Sequence, residues 1–579
     1  MRLGTLAPAL TLGLMMATPV AAQMAPKQDP GVEQRVQSIL VRMTPEEKID
    51  LLGGIRTFDV PGLARLGLPE LGTSDSPFGI RADGPSTVYA AGIGLAATWN
   101  PELAQRVGTQ VGRDARARGR HYNLGPGVNI YRLPLNGRNF EYYGEDPWLA
   151  SRIAVGFIRG VQSQGVSSTI KHYLGNNSEY LRNFTDDKID ERALREIYLP
   201  TFEAAVKEAH VGAFMPAYNL VAGEYMTANH RLQVDIPKTE WGFDGIMMSD
   251  WGAAHSALGV ANGGLDLEMP SGVHMNRDSL LPLLKAGKVT QATIDDKVRR
   301  LLRNEVRFGW LDRPQLDPSI PRYNVAGREA ALQASLEGMV LLKNEGGVLP
   351  LAAPALKKIA VIGPDAYPAV TLGGGSATIP PFHAVSFLEG IGNRLGAGVS
   401  VLYARGLPTL AQATARSPFK TAATAGEPGL AAEVFDNATF QGTPKTRTDK
   451  AGRMGQPFDL SALFTSDADP SLFFTPPKPQ SIRWTGYIVP ETPGTYDFFV
   501  QQGGWGASGA RLYVDGKLLS DTWDSQKFVV DQASVALDAS AHKVVLEYKT
   551  EGGPGGFLRF GALRQGSWVD KATEDLAAS

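Results

Sequence analysis

The chain has 579 residues, 43% apolar and 20% charged, which is too long for one hydrophobic core and ordinary for a soluble globular protein of two or three domains. A net charge of -2 gives no electrostatic ground for a nucleic-acid or anionic-membrane partner. Cysteine is absent, which excludes disulfides and thiolate chemistry, and the 65 glycines and 39 prolines follow no fixed repeat.

The opening stretch "MRLGTLAPALTLGLMMATPVAAQ" carries one early charge at Arg2, an apolar centre and a small-residue end. Pro8 interrupts the apolar part, which is short for a membrane anchor, and Val20-Ala21-Ala22 fits a signal-peptidase site. Residues 1–22 are therefore expected to be a signal peptide cleaved after Ala22, with a periplasmic or secreted product and no membrane span.

From 31 to 310, short apolar runs alternate with helical patterns. "GVSSTIKHYLG" predicts a strand ending at Lys171 and His172, "DERALREIYLPTFEAAVKEA" a helix from Asp190 to Ala209, and "VGAFMPAYN" the next strand. "RLQVDIPKTEWG" predicts another helix before "FDGIMMSDWG". This alternation argues for a parallel sheet with covering helices, closed as a TIM-like (α/β) barrel whose site lies at the C-terminal ends of the strands. "WLDRPQLDPSIPRYN" marks a linker, 311–325. "GREAALQASLEGMVLLKNEG" predicts a helix running into a short strand, and "LKKIAVIGPDA" a second buried strand, so that 326–420 begins another α/β unit. Gly373 to Gly375 lack the spacing of a dinucleotide-binding loop, and Pro380 and Pro381 stand where its helix would run. From 426 to 566 the pattern is all-β, a sandwich of about 140 residues. Within it Asp515-Gly516 is a hairpin turn. "DKATEDLAAS" then starts an amphipathic helix, within 567–579.

In "GFDGIMMSDWGAAH" an apolar run ends abruptly on Asp250, with Trp251 next to it. By itself the acid reads as a helix N-cap for "WGAAHSALG", or as a carboxylate held at a strand end for chemistry. Lys171 and His172 likewise read as one solvated and one satisfied side chain, or as paired donors facing a ligand. Tyr218 in "PAYN" also reads as a core tyrosine with a satisfied hydroxyl, Glu268 in "DLEMP" reads as structural, and Asp83 in "RADGP" as a surface turn. Neither the eight histidines nor the acids fall at metal-ligand spacing, so no metal and no cofactor are expected.

"SDSPFGIR", "GRNFEYYGEDPWLA", "KHYLGNNSEYLRN", "FMPAYNLVAGEYMTANHRL" and "WGFDGIMMSDWGAAHS", in that order, closely resemble the motif series of glycoside hydrolase family 3 β-glucosidases, over nearly all of 35–400. The all-β region resembles the protective-antigen-like module that some of these enzymes insert in their second domain. The resemblance implies a retaining exo-β-D-glucosidase acting on terminal glucose of oligosaccharides or aryl glucosides. It makes Asp250 the nucleophile, and Asp75, Arg138, Lys171, His172, Tyr218 and Trp251 the substrate-binding set. Arg138 has a structural alternative as the partner of Glu141 or Glu145. Ser76 replaces the family's usual glycine after Asp75. Asn176, Glu179 and Arg182 follow the β-glucosidase form of the lysine–histidine motif, against an aminosugar substrate. A β-xylosidase or broad β-glycosidase, and a non-catalytic sugar binder, are the alternatives; oligomeric state stays open, a dimer included. In relatives the acid/base glutamate lies in the second domain, after the inserted module. No glutamate here matches that motif, and Glu551 in "TEGGPGG" fits the end of the sandwich. The resemblance thus implies an incomplete second domain and a C-terminally truncated chain.

Overall fold

The computed structural model describes residues 29–75, 77–179, 182–371, 374–407, 416–450, 479–503, 508–524, 529–551, 557–567, 569, 573 and 576. The expected signal peptide, Ser76, Gly373 and nearly all of the helix expected from Asp570 lie outside them.

The N-terminal unit holds β1 (Asp59–Val60), β2 (Leu71–Asp75), β3 (Arg120–Leu124), β4 (Ser167–Tyr173), β5 (Asp186–Asp187), β6 (Ala213–Pro216), β7 (Leu220–Val221), β8 (Glu224–Tyr225) and β9 (Ile246–Met247). One curled sheet runs β1-β2-β3-β4-β6-β9, while β5, β7 and β8 form a small separate sheet. The pairs from β2 to β9 are parallel, and β1 is antiparallel to β2. The chain between β1 and β2 is too short for a crossover helix, so it must turn straight back. Single bridges Met248–Leu267, Gly53–Glu268 and Ile55–Asp59 continue the curl. The expected TIM-like barrel is thus a curled half-barrel sheet, with one antiparallel strand and its far side carried by bridges.

Helices Pro101–Arg116 and Pro147–Gln162 cover one side, each started by a proline behind an Asn100 or Asp146 cap. They touch backbone to backbone because Gly108 and Gly160 lack side chains. A Cβ on Gly108 would stand 2.1 Å from the Phe157 carbonyl oxygen, and one on Gly160 2.1 Å from that of Gln105. The continuous helix expected from Asp190 to Ala209 is broken into helical turns at Glu191–Ala193, a wide π-type turn at Leu194–Tyr198, and a helix at Pro200–Lys207. Pro200 has no N–H to donate and its ring crowds the preceding turn, so the backbone widens there, with Leu199 N–H reaching the Leu194 carbonyl.

The expected linker packs on this unit. Arg35 pairs with Asp312 at 2.8 Å, and the Gln315 amide donates to the Arg120 carbonyl at 2.8 Å. Helix Val325–Gly338 follows, capped by Asn324, whose amide also donates to buried Asp114 at 3.2 Å. The strand expected after this helix does not form, and Leu342 is 91% exposed. The strand expected to be buried, β10 (Lys358–Ile362), pairs only with β11 (Ser400–Ala404), in parallel, and alternates exposed with half-buried residues. A parallel strand pair needs a layer on each face to be buried, and the described residues set only helix Phe387–Leu395 beside β11. Between β10 and β11, Ala377 and Ile379 pack on Phe78, and the Ser86 N–H donates to the Pro380 carbonyl at 3.0 Å, which brings this loop to the rim of the half-barrel.

The all-β unit begins at β12 (Phe419–Lys420), earlier than the expected boundary at 426. It continues with β13 (Leu430–Phe435), β14 (Lys445–Asp449), β15 (Gln480–Ile488), β16 (Gly494–Gly503), β17 (Ser508–Val514), β18 (Lys517–Asp521), β19 (Val529–Leu537), β20 (His542–Thr550) and β21 (Phe557–Arg564). One sheet orders β14-β13-β15-β20-β17-β18 with β12 on β15, the other β19-β16-β21. Trp484, Phe498, Leu546 and Phe560 fill the space between them. Asp515 and Gly516 both have positive φ, as the two-residue hairpin requires.

Candidate active site

Parallel β2, β4, β6 and β9 end on the same side of the sheet, so Asp75, Lys171 with His172, Tyr218 and Asp250 converge although they come from distant parts of the chain. Lys171, 2% exposed, donates to Asp75 Oδ1 at 2.7 Å. Asn129 fixes the end of β4. Its Oδ1 accepts the His172 N–H at 2.7 Å and its Nδ2 donates to the His172 carbonyl at 2.9 Å. Burial, with Arg138, Lys171 and Arg182 nearby, holds His172 well below the ordinary imidazole range, so it is neutral.

The two oxygens of Asp250 differ. Oδ1 accepts the Tyr218 hydroxyl at 2.9 Å and the Trp251 N–H at 2.7 Å. Oδ2 has no hydrogen-bond partner among the described residues and lies 3.5 Å from His172 Nε2. One oxygen is therefore anchored and the other is buried without a hydrogen bond, in a side chain rigid enough to aim it. Asp250 does not cap a helix: the next one starts at Ala257 behind Ser256. Burial and the neighbouring Asp250 carboxylate hold the Tyr218 phenol well above its ordinary pKa, so it stays a donor. Trp251 is nearly buried, donating to the Thr57 carbonyl at 2.9 Å with its ring 5.4 Å from that of Phe58.

Arg138 forms a bidentate pair with Glu141, at 3.0 and 2.8 Å, and not with Glu145. Arg182 donates to Glu179 at 2.7 Å and lies over the Tyr218 ring, 4.2 Å from its centroid. Half-buried Arg81 donates to the Ser376 carbonyl at 2.9 Å; burial lowers its pKa against the opposing pull of Asp75. These contacts assemble one unpartnered carboxylate oxygen, several fixed cations and a neutral imidazole in one place.

The model of the glycosyl hydrolase family 3 N-terminal domain matches residues 56–304, and that of the family 3 C-terminal domain matches 339–539. The chain belongs to glycoside hydrolase family 3. A β-glucosidase of Rhizobium radiobacter is 39% identical over 499 residues, 84% of this chain and 58% of that relative. β-Glucosidase B of Emericella nidulans is 34% identical over 505 residues, 85% of this chain and 56% of its own. The solved structure of a β-glucosidase from Kluyveromyces marxianus in complex with glucose superposes with a TM-score of 0.65 at 28% identity, over 94% of this chain and 66% of that one. The chain thus spans little more than half the length of these curated relatives.

Of the expected residues, Asp75 meets Lys171, His172 and Tyr218 meet Asp250, Trp251 follows Asp250, and Arg138 is paired with Glu141. Three contributors stand outside that set. Arg182 lies in a recognised motif, but only the fold puts its guanidinium on Tyr218. Asn129 has no motif at all, and Arg81 is legible only as the last letter of "SDSPFGIR". Glu268 is structural as expected, accepting the N–H groups of His274 at 2.8 Å and Met275 at 2.7 Å. Asp83 sits in a positive-φ turn beside Arg120. Among the described residues no group of acids and histidines could hold a metal ion.

Proposed function

We propose that this chain is the glucosyl-accepting part of a retaining β-D-glucosidase. The observation that carries the reading is the asymmetry of Asp250, one oxygen doubly anchored and the other without a hydrogen-bond partner among the described residues. In the proposed reaction Oδ2 attacks the anomeric carbon while the bond from that carbon to the aglycone oxygen breaks. Water then cleaves the resulting ester, returning the proton balance to solvent and leaving β-glucose. Asp75 and Lys171 receive the far hydroxyls, Arg138 and Arg182 hold carboxylates and ring edges in place, and neutral His172 donates to a hydroxyl near the reacting carbon. Retention calls for a second group about 5–5.5 Å from the nucleophile to protonate the leaving oxygen. Activated aryl glucosides leave without that help, so they are the substrates of choice. The K. marxianus and R. radiobacter β-glucosidases support glucose as the sugar.

In the same reading, residues 31–310 are the catalytic unit and 426–566 a protective-antigen-like module bordering the aglycone side. Residues 1–22 direct export to the periplasm or medium; the small-residue end at Val20-Ala21-Ala22 and the lack of cysteine support this. The deciding experiment is the burst of nitrophenol from an activated 2-deoxy-2-fluoro-β-glucoside, with peptide mapping. A stoichiometric burst and a mass increase on the Asp250 peptide are expected. Folded protein that takes no label, or takes it elsewhere, overturns the reading.

A further inference from the structure

β9, the strand that leads to Asp250, is short and ends the hydrogen-bonded order of the curled sheet. On one side, the N–H groups of Ile246, Met248 and Asp250 donate to the carbonyls of Gly212, Phe214 and Pro216, at 3.1, 2.9 and 3.3 Å. The other side faces residues 264–269, which make only isolated bridges. Around Leu267 the two segments follow a regular parallel ladder. The Leu267 N–H donates to the Met247 carbonyl at 3.0 Å, and the Ser249 N–H to the Leu267 carbonyl at 2.9 Å. One step back, the same ladder would send the Met247 N–H to the Leu265 carbonyl. That carbonyl accepts the buried Lys297 ammonium instead, and the Met247 N–H goes to Asp266 Oδ2 at 2.8 Å. The Asp266 N–H donates to the Met247 carbonyl at 2.8 Å, so residue 266 engages both backbone polar groups of Met247. The carboxylate that stands in for a carbonyl is itself fixed. Lys238, on helix Arg231–Glu240 just ahead of β9, donates to the two oxygens of Asp266 at 2.8 and 2.9 Å and to the Gly264 carbonyl at 2.7 Å. The Asp266 side chain is fully buried and that of Lys238 is 7% exposed. An apolar pair would fill this space without desolvating charges, but would leave the buried Met247 N–H without an acceptor.

We infer that Asp266, held by Lys238, is a positioning residue for the nucleophile: it fixes β9 against 264–269 and thereby the place of the Asp250 carboxylate, three residues beyond Met247. The inference rests on the glucosidase reading of Asp250. Two double variants of the full chain remove the same charges and differ in the acceptor. K238M/D266N keeps an amide oxygen for the Met247 N–H, and K238M/D266L keeps the volume without one. The activated 2-deoxy-2-fluoro-β-glucoside gives a labelling rate constant for Asp250 and, separately, a half-saturating concentration. K238M/D266L is expected to label about 10- to 100-fold more slowly than K238M/D266N, with half-saturating concentrations within about twofold. Circular dichroism follows folding, and K238M/D266A makes the same comparison if the leucine variant does not fold. Gly108→Ala, which crowds the Phe157 backbone in the same unit, should label within about twofold of the parent rate. Amide exchange of 245–252 needs no turnover and should be faster in K238M/D266L than in K238M/D266N. Equal labelling of these two variants, a change confined to the half-saturating concentration, an equal slowing by Gly108→Ala, or equal exchange of 245–252 each overturn the role. A parent chain that takes no label sinks the glucosidase reading, and the exchange comparison then decides alone whether Asp266 holds β9.

Discussion

Two donors on Asp250 Oδ1 and none on Oδ2 define what each substitution should do. Asp250→Ala removes the proposed nucleophile and should lower turnover of aryl glucosides by at least about 10⁴-fold. Azide can then fill the vacated space and should restore cleavage, giving the α-glucosyl azide, a single inversion read by NMR of the product. Tyr218→Phe removes one of two anchors to an ionised group. Hydrogen bonds of that kind contribute about 1.5–3 kcal/mol, so kcat should fall roughly 10- to 100-fold with little change in KM. Outside the cleft, Glu305 on helix Gln291–Arg307 is buried with Oε2 unpartnered among the described residues, and burial pushes its pKa up to about 8 from 4.5. Between those values the folded chain keeps a proton that the unfolded chain has released, so this group makes stability fall as pH rises through that window. Glu305→Gln should therefore raise Tm relative to the parent more at pH about 8 than at pH about 5, followed by circular dichroism. A constant difference across the range would rule out the titration of Glu305 as its source.

Elements differ in how completely they are packed, and their dynamics should follow. β4 is buried along its whole length between β3 and β6, whereas β10 and β11 pair only with each other, with one short helix beside β11. Amide exchange should be slow in 167–173 and fast in 358–362 and 400–404, because a thinly covered two-stranded pair opens locally at little cost. The two helices joined at Gly108 make the opposite case. A methyl group there would meet the Phe157 carbonyl, and neither backbone can retreat without moving its helix off the core. Gly108→Ala should destabilise the N-terminal unit by about 1–3 kcal/mol in urea unfolding. Pro200 shows a local rule winning over periodicity: the apolar spacing of 190–209 is helical throughout, yet one missing N–H turns the helix into three pieces.

The molecule has two large cores with no residue in common, one under the half-barrel and one inside the β-sandwich. Units with separate cores unfold separately unless a large apolar interface couples them. Differential scanning calorimetry should show two transitions, and a glucose-site inhibitor should move only one of them, since a ligand stabilises the unit that binds it. Two transitions shifted together would mean that the sandwich shares the binding energy.

Strand ends and motif order were legible in the sequence, and with them the family and most of the cleft. A buried parallel strand tolerates small hydroxyl side chains but not an unpaired charge, so the first charged residue after "STI" or "GIMMS" marks where the chain reaches the site. The tertiary structure alone decided the partners. Lys171 meets an aspartate 96 residues away, and Asn129, Arg81 and Arg182 act through contacts that no spacing encodes. It also decided that β10 is exposed rather than buried, that β1 runs antiparallel, and which oxygen of Asp250 lacks a hydrogen bond. Each of these depends on which groups lie alongside in space, and periodicity along one segment carries no information about its neighbours.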